Sequence, residues 1–344
     1  IAEDRILCPV KANEEWFLDA LRALDVDLMV TAAYGNFLPQ KFLDIPRYGT
    51  LNIHPSLLPQ WRGAAPVQRA LESGQAETGV SVAYTVLKMD AGPVLRQIKK
   101  PLNGDEKAPE MLTELFEKGV EALLEELPSV FAGEAAARAV PQDEKTLSHA
   151  AKVSPDEGEL DFKKQSALEC HNKVRGFAGW PGTKAVLKIR ANGEEDSKEV
   201  TLKIITTRVS TEGDASAAQG QVEVTKKVLR VPCGGGGWLE LLEVQPPGKK
   251  AMPASAHQEK VGSVSKCATA ATYIPALLTS KSNVGQANPP IWRITTCWAS
   301  CSLLTIAASL PCTLYFLHST LPKRVTRANT LTLFATRIAF IRCK

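Results

Sequence analysis

The stretch Gly49-Thr50-Leu51-Asn52-Ile53-His54-Pro55-Ser56-Leu57-Leu58-Pro59-Gln60-Trp61-Arg62-Gly63-Ala64-Ala65-Pro66 decides the fold. Its first six residues predict a short strand. A loop punctuated by Pro55 and Pro59 follows, then a helix from Pro66 to Ser73, with proline at its start and Gly74 past its end. Side chains two apart on a strand share a face, so Asn52 and His54 project together from its carboxyl end. In open α/β sheets ligands gather at that end.

Outward from this stretch, the elements alternate. Upstream, residues 13–25 predict an amphipathic helix with Phe17, Leu18, Leu21 and Leu24 on one face and Asn13 as its cap, and Val26 to Ala33 predicts a buried strand. Downstream, Val80 to Leu87 and Val94 to Ile98 predict strands, and Ala108 to Glu126 a long helix. Strands alternating with helices argue for an open, mostly parallel α/β sheet. Residues 128–158 lack strong periodicity and read as a linker. From Gly158 on, short β-rich runs at 184–189, 199–207, 221–224, 227–232 and 238–244 predict a small antiparallel barrel or sandwich. Gly234 to Gly237, with no helix after it, reads as a hairpin turn rather than a phosphate loop.

The 344 residues leave room for about two domains, and 44% hydrophobic with 23% charged content is that of an ordinary globular chain. The net charge of +4 conceals an asymmetry. From Lys260 on there are ten Lys and Arg and no Asp or Glu; residues 1–259 therefore hold 31 basic and 37 acidic residues, a net of −6. A basic tail reads either as a contact for nucleic acid or an anionic surface, or as translation of a frameshifted or non-coding stretch. Five of the eight cysteines fall in it, at Cys267, Cys297, Cys301, Cys312 and Cys343. Cys297 and Cys301 resemble half a zinc site without a second ligand pair, so no metal is expected. The other three, Cys8, Cys170 and Cys233, fit no disulfide framework. Ile294 to Pro322 carries no charge and is long enough for a bilayer, but Thr, Ser, Cys and Pro311 dilute it, and a membrane partner is not expected.

Asp90 lies in the turn Lys88-Met89-Asp90-Ala91-Gly92-Pro93 just after a strand; if that strand neighbours the one ending at His54, Asp90 approaches the imidazole. Asn, His and Asp together suit acyl transfer to an amine. Asn52 donates a hydrogen bond to the developing oxyanion, protonated His54 adds a charged one, and Asp90 holds the imidazole charged and helps remove the proton from nitrogen. No Ser or Cys nucleophile is needed. The competing reading makes His54 structural, Asn52 a strand end and Asp90 a turn-former.

Asn52-Ile53-His54-Pro55-Ser56-Leu57-Leu58-Pro59 with Asp90 downstream resembles the folate-dependent formyltransferases. Trp61 to Arg69, Thr31 to Pro39 and Glu77 to Val80 resemble the methionyl-tRNA formyltransferase branch, as do Val174 to Gly182 and Gln245 to Met252 in the second half. The resemblance covers about residues 1–260. It implies a Rossmann-like catalytic domain over 1–127 lacking its first βα units, a linker over 128–158, an OB-like β-barrel over 159–260, and an atypical basic tail over 261–344, disordered or non-native. Without the first units, the strand at 26–33 is expected to leave an open sheet edge and the chain to be a poor catalyst.

The resemblance further implies Asn52, His54 and Asp90 as catalytic trio and 10-formyltetrahydrofolate as formyl donor. Its folate contacts are expected from Tyr34, Gly35, Asn36, Phe37 and Leu38, from Ser56, Leu57, Leu58 and Pro59, and from Leu87, Lys88 and Met89. The acceptor is initiator methionyl-tRNA, held by Arg62, Arg175, Lys249 and Lys250, and the enzyme acts as a monomer. Formylated initiator tRNA belongs to bacteria and their organelle descendants, so the expected location is a mitochondrial or plastid matrix, or a bacterial cytoplasm. The alternatives are another folate-dependent formyltransferase or hydrolase, or a non-catalytic folate- or tRNA-binding homologue.

Overall fold

The computed structural model describes residues 7–35, 37–189, 198–210, 222–224, 229–256, 313–319 and 336–342. Helix α1 (Glu15–Ala23) buries Phe17, Leu18 and Leu21. It stops short of Leu24, which is half-exposed, and Glu14 rather than Asn13 takes the cap position. Strand β1 (Leu28–Ala32), helix α2 (Gln40–Leu43) and strand β2 (Thr50–His54) follow, then the two-residue β3 (Arg62–Gly63) and helix α3 (Pro66–Glu72). Strand β4 (Glu77–Tyr84) starts and ends three residues earlier than its sequence pattern predicts, so Val86 and Leu87 leave the sheet and stand exposed. Strand β5 is Val94–Pro101.

Helix α4 (Ala108–Phe131) runs past the predicted end at Glu126 because Leu127, Val130 and Phe131 are still inward-facing. It covers β2, β4 and β5, and together with Leu51, Ile53, Val80 and Val82 its buried side chains form the main core. Residues 128–158 are therefore not a plain linker: they finish α4, form α5 (Ala135–Arg138), and supply β6 (His149–Ala150), which pairs in parallel with β3.

The second half holds α6 (Ala167–Gly176), β7 (Thr183–Ile189), β8 (Lys198–Ser210), β9 (Glu223–Val224), β10 (Leu229–Pro232), β11 (Trp238–Gln245) and β12 (Met252–Pro253). Ser166 and Glu169 form a reciprocal capping box that starts α6. The strands pair antiparallel in the order β7-β8-β11-β10-β9, with β12 on β11, an open half-barrel with α6 packed on β8 and β11. Cys233 to Gly237 turn the β10–β11 hairpin, with Cys233 N–H donating to the Gly237 carbonyl at 2.8 Å. Cys170 and Cys233 meet in this core, and their shared hydrogen bond together with burial pushes the Cys170 thiol up.

The tail contributes β13 (Thr313–Ser319) and β14 (Thr336–Arg342), an antiparallel hairpin. The main sheet has the order β13-β14-β1-β2-β4-β5. Only β14–β1 and β1–β2 are parallel, so the mostly parallel sheet of the sequence reading is corrected to a mixed one. For β4 and β5 the reason is local, because the short turn between them leaves no room for a crossover. The open edge expected at residues 26–33 is occupied by β14, and the tail expected to be without structure holds these two strands. Ile294 to Thr305, Cys297 and Cys301 lie outside the described residues. Among the described residues no helix is long and apolar enough to cross a membrane.

Candidate active site

Asn52 and His54 close β2, and β4 lies beside it with His54 opposite Ser81. β4 ends opposite Leu51, and the turn after it folds back so that Asp90 reaches both side chains. Asn52 Nδ2 lies 3.4 Å from Asp90 Oδ1, and His54 Nδ1 lies 3.7 Å from the same oxygen. His54 is 5% exposed. Its Nε2 stands 3.0 Å from the Trp61 carbonyl, which can only accept, so Nε2 carries a hydrogen. Nδ1 is then the nitrogen that can gain or lose a proton, and it faces Asp90.

Thr31, opposite Asn52 in the β1–β2 register, donates its hydroxyl to Asn52 Oδ1 at 2.9 Å. This fixes the amide, because the flipped form would set Oδ1 against the Asp90 carboxylate. Asp90 Oδ2 accepts from the Gly63 N–H at 2.9 Å. The carboxylate thus has one oxygen held by backbone and the other shared between amide and imidazole. Among the described residues, three of the four non-glycine residues at positive φ surround this point, Ala33 (51°), Trp61 (61°) and Asp90 (51°). Such conformations cost free energy and persist where the surroundings enforce them.

The enforcing element is the segment read from sequence as a linker. Gln142 Nε2 donates to the Asp90 carbonyl (2.8 Å) and the Gly92 carbonyl (2.6 Å), while its Oε1 accepts from Arg62 Nε (2.9 Å) and Nη2 (2.7 Å). Ser148 Oγ accepts from the Trp61 N–H at 2.9 Å. Sequence reading missed Thr31, Gln142 and Ser148. Thr31 was legible from strand periodicity at the end of β1; no local pattern marks the other two.

The remaining expected contacts divide. Gly35 and Phe37 are exposed, Tyr34 is half-buried, Leu38 is buried in the core around α1, and Asn36 lies outside the described residues. Leu87, Lys88 and Met89 are exposed beside Asp90. Phe37, Leu87 and Met89 thus stand as bare apolar side chains on the loops after β1 and β4. Ser56 and Leu58 are both buried, and the Ser56 hydroxyl donates to the Gln60 carbonyl at 2.6 Å. Leu57 packs on Gly79, and Pro59 is half-buried.

Arg62 and Arg175, expected at the tRNA surface, are buried. Arg62 is 2% exposed, and its third nitrogen, Nη1, pairs with Glu144 at 3.0 Å. Arg62, then Lys88, hold the Glu144 carboxyl below its usual range. Arg175 is 3% exposed; it donates Nε to Asn172 at 2.8 Å, and burial holds its pKa below the usual guanidinium value. It lines a cleft of about 310 Å³ with Lys107, His171 and Arg208, away from the trio. Lys249 and Lys250 are exposed on the loop after β11 and free to face phosphates. Among the described residues no group of three or more His, Cys, Asp or Glu side chains could hold a metal.

The formyl transferase family matches residues 2–127, and the formyl transferase C-terminal domain matches residues 152–260. The methionyl-tRNA formyltransferase of Thermus thermophilus is 40% identical over 256 residues, 73% of this chain and 76% of the relative. That of Methylococcus capsulatus is 38% identical over 236 residues, 69% and 72%. Among solved structures, HypX from Aquifex aeolicus in complex with tetrahydrofolic acid aligns with a TM-score of 0.51 at 17% identity, over 71% of this chain and 41% of that one. At that identity the likeness shows the fold alone.

Proposed function

The chain belongs to the methionyl-tRNA formyltransferase family, and from that premise we propose how its own residues transfer a formyl group from 10-formyltetrahydrofolate to the amino group of methionyl-tRNA. The carrying observation is the convergence of Asn52 Nδ2 and His54 Nδ1 on one Asp90 oxygen, at 3.4 and 3.7 Å. Two donors and an acceptor around one space are what acyl transfer to an amine requires.

The folate supplies the formyl carbon. Exposed Phe37, Leu87 and Met89 on either side of the trio suit a flat, largely apolar ring system and would hold it there. Asn52, oriented by Thr31, donates Nδ2 to the oxyanion that develops on the formyl oxygen. His54, with Nε2–H fixed on the Trp61 carbonyl, presents protonated Nδ1 as a second, charged donor. Asp90 holds that charge and accepts the proton leaving the attacking amine; as the tetrahedral intermediate collapses, the bond from the formyl carbon to N10 of the folate breaks and N10 takes up that proton, releasing tetrahydrofolate. Lys249 and Lys250 pair with tRNA phosphates. The initiator tRNA it would modify serves bacterial and organellar translation, so it acts in a bacterial cytoplasm or a mitochondrial or plastid matrix.

The test is formyl transfer to methionyl-tRNA by Asn52→Ala and His54→Ala. Loss of one oxyanion donor should lower turnover by about 10²–10³, or roughly 2.7–4 kcal/mol, with folate affinity little changed. Near-normal rates in both variants would remove these residues from the chemistry.

A further inference from the structure

Gln142 sits where nothing catalytic is expected, on the exposed stretch between α5 and β6, yet all four of its side-chain hydrogen bonds are aimed at the site. Its carboxamide orientation is unambiguous. Oε1 meets two guanidinium donors of Arg62, and Nε2 meets the carbonyls of Asp90 and Gly92, so a flipped amide would lose all four bonds. Arg62 cannot turn away to another partner: it is 2% exposed and tied by Nη1 to Glu144. Its own backbone N–H is fixed on the Ser148 carbonyl at 3.0 Å. The residues flanking Arg62 touch the trio directly, Trp61 through its carbonyl on His54 and Gly63 through its N–H on Asp90.

We propose that Gln142 is a positioning residue for formyl transfer, and that the Arg62–Gln142 pair sets the distance between Asp90 and His54. The proposal rests on the acyl-transfer reading of the trio. Its physical content is a rigid bridge. One end grips the Asp90 turn by two main-chain carbonyls; the other grips the segment that orients the imidazole. Asp90 needs such a grip because φ of 51° is uncommon for any residue other than glycine and costs free energy to hold. Only an uncharged amide serves both ends, since it offers an acceptor to the guanidinium and two donors to the carbonyls.

Two variants of the full chain test this. Gln142→Glu keeps the size and the bond to Arg62 but replaces both donors by an oxygen that repels the Asp90 and Gly92 carbonyls. Gln142→Met keeps the bulk and removes all four bonds. Each should lower kcat by about 10- to 100-fold, since a displacement near 1 Å costs about 10² in rate. KM for methionyl-tRNA and the affinity for tetrahydrofolate should stay within about threefold. In an Asp90→Asn background, Gln142→Met should cause no further loss, because its effect runs through a carboxylate that is gone. Independent, multiplicative losses in that double variant would overturn the proposal. So would a wild-type kcat in Gln142→Glu, or a lowered melting temperature with unchanged kcat in Gln142→Met, which would make the residue one of stability alone. A full rate in Asp90→Asn by itself would instead sink the reading of the trio, and the proposal with it.

Discussion

Gly63→Ala is the substitution whose consequence the structure defines most closely. A Cβ at this position would stand 2.5 Å from the Ala150 carbonyl oxygen. Ordinary contact begins at 3.4 Å, so the two strands must part by roughly 0.9 Å. Ala150 cannot yield, because its carbonyl accepts from Ala64 N–H at 2.9 Å and Ala65 N–H at 3.2 Å and the residue is buried. Residue 63 must move, carrying its N–H away from Asp90 Oδ2. The 2.9 Å bond would lengthen to roughly 3.8 Å, beyond hydrogen-bonding range. A displacement of that size costs about 10² in turnover. The φ of +131° at Gly63 adds strain that no L side chain avoids. Strain and overpacking together should cost about 2–5 kcal/mol of stability. The assay is single-turnover formyl transfer per folded enzyme, with urea unfolding alongside. Gly133→Ala is the control: its φ is +78°, and nothing lies within 4 Å of the added carbon. It should lose about 1–2 kcal/mol of stability and keep its rate. A rate for Gly63→Ala within threefold of wild type would refute the reasoning, as would an equal loss in Gly133→Ala.

The Arg69–Glu157 pair joins α3 to the chain entering the second half, with contacts of 2.7 and 3.0 Å, and it holds the Glu157 carboxyl down at about 2 against an ordinary 4.5. A depressed carboxylate stabilises the fold fully above pH 4.5 and loses that contribution as pH falls toward 2, so Glu157→Gln should destabilise by about 1–2 kcal/mol at pH 7, allowing for solvent screening, and the gap from wild type should close on acidification. A gap that is constant with pH would rule out the ion pair as its cause. Gly119→Ala places a carbon 2.4 Å from Ile53 Cγ2 and 2.9 Å from Val80 Cγ2, where α4 crosses the sheet. The helix-propensity gain of about 1 kcal/mol should be outweighed by an overpacking cost of about 1–3, and a melting temperature that rises would show that α4 can lift off the sheet freely. Replacing Lys249 and Lys250 together by alanine should flatten the salt dependence of tRNA binding by about 0.7–0.9 per lost phosphate contact, with folate affinity unchanged; an unaltered slope would take that loop out of the tRNA surface.

The sequence by itself determined the local elements and the shared face of Asn52 and His54. Period two placed Asn52 and His54 on one face of β2, prolines and glycines bounded α3, and apolar periodicity marked α1, β1 and α4. These follow from interactions within a few residues, which a local pattern records. Only the tertiary structure decided what depends on distant pairing. It set the antiparallel pairing of β4 with β2, the folded-back turn after β4 that brings Asp90 to His54, and the entry of β14 beside β1. It buried Arg62 and Arg175, whose charge alone suggests a surface position, and gave them Gln142 and Asn172 as partners. It drew Gln142 and Ser148 out of a featureless stretch and onto the site, because a single side chain bonding to backbone 50 or more residues away leaves no periodic trace in its own neighbourhood.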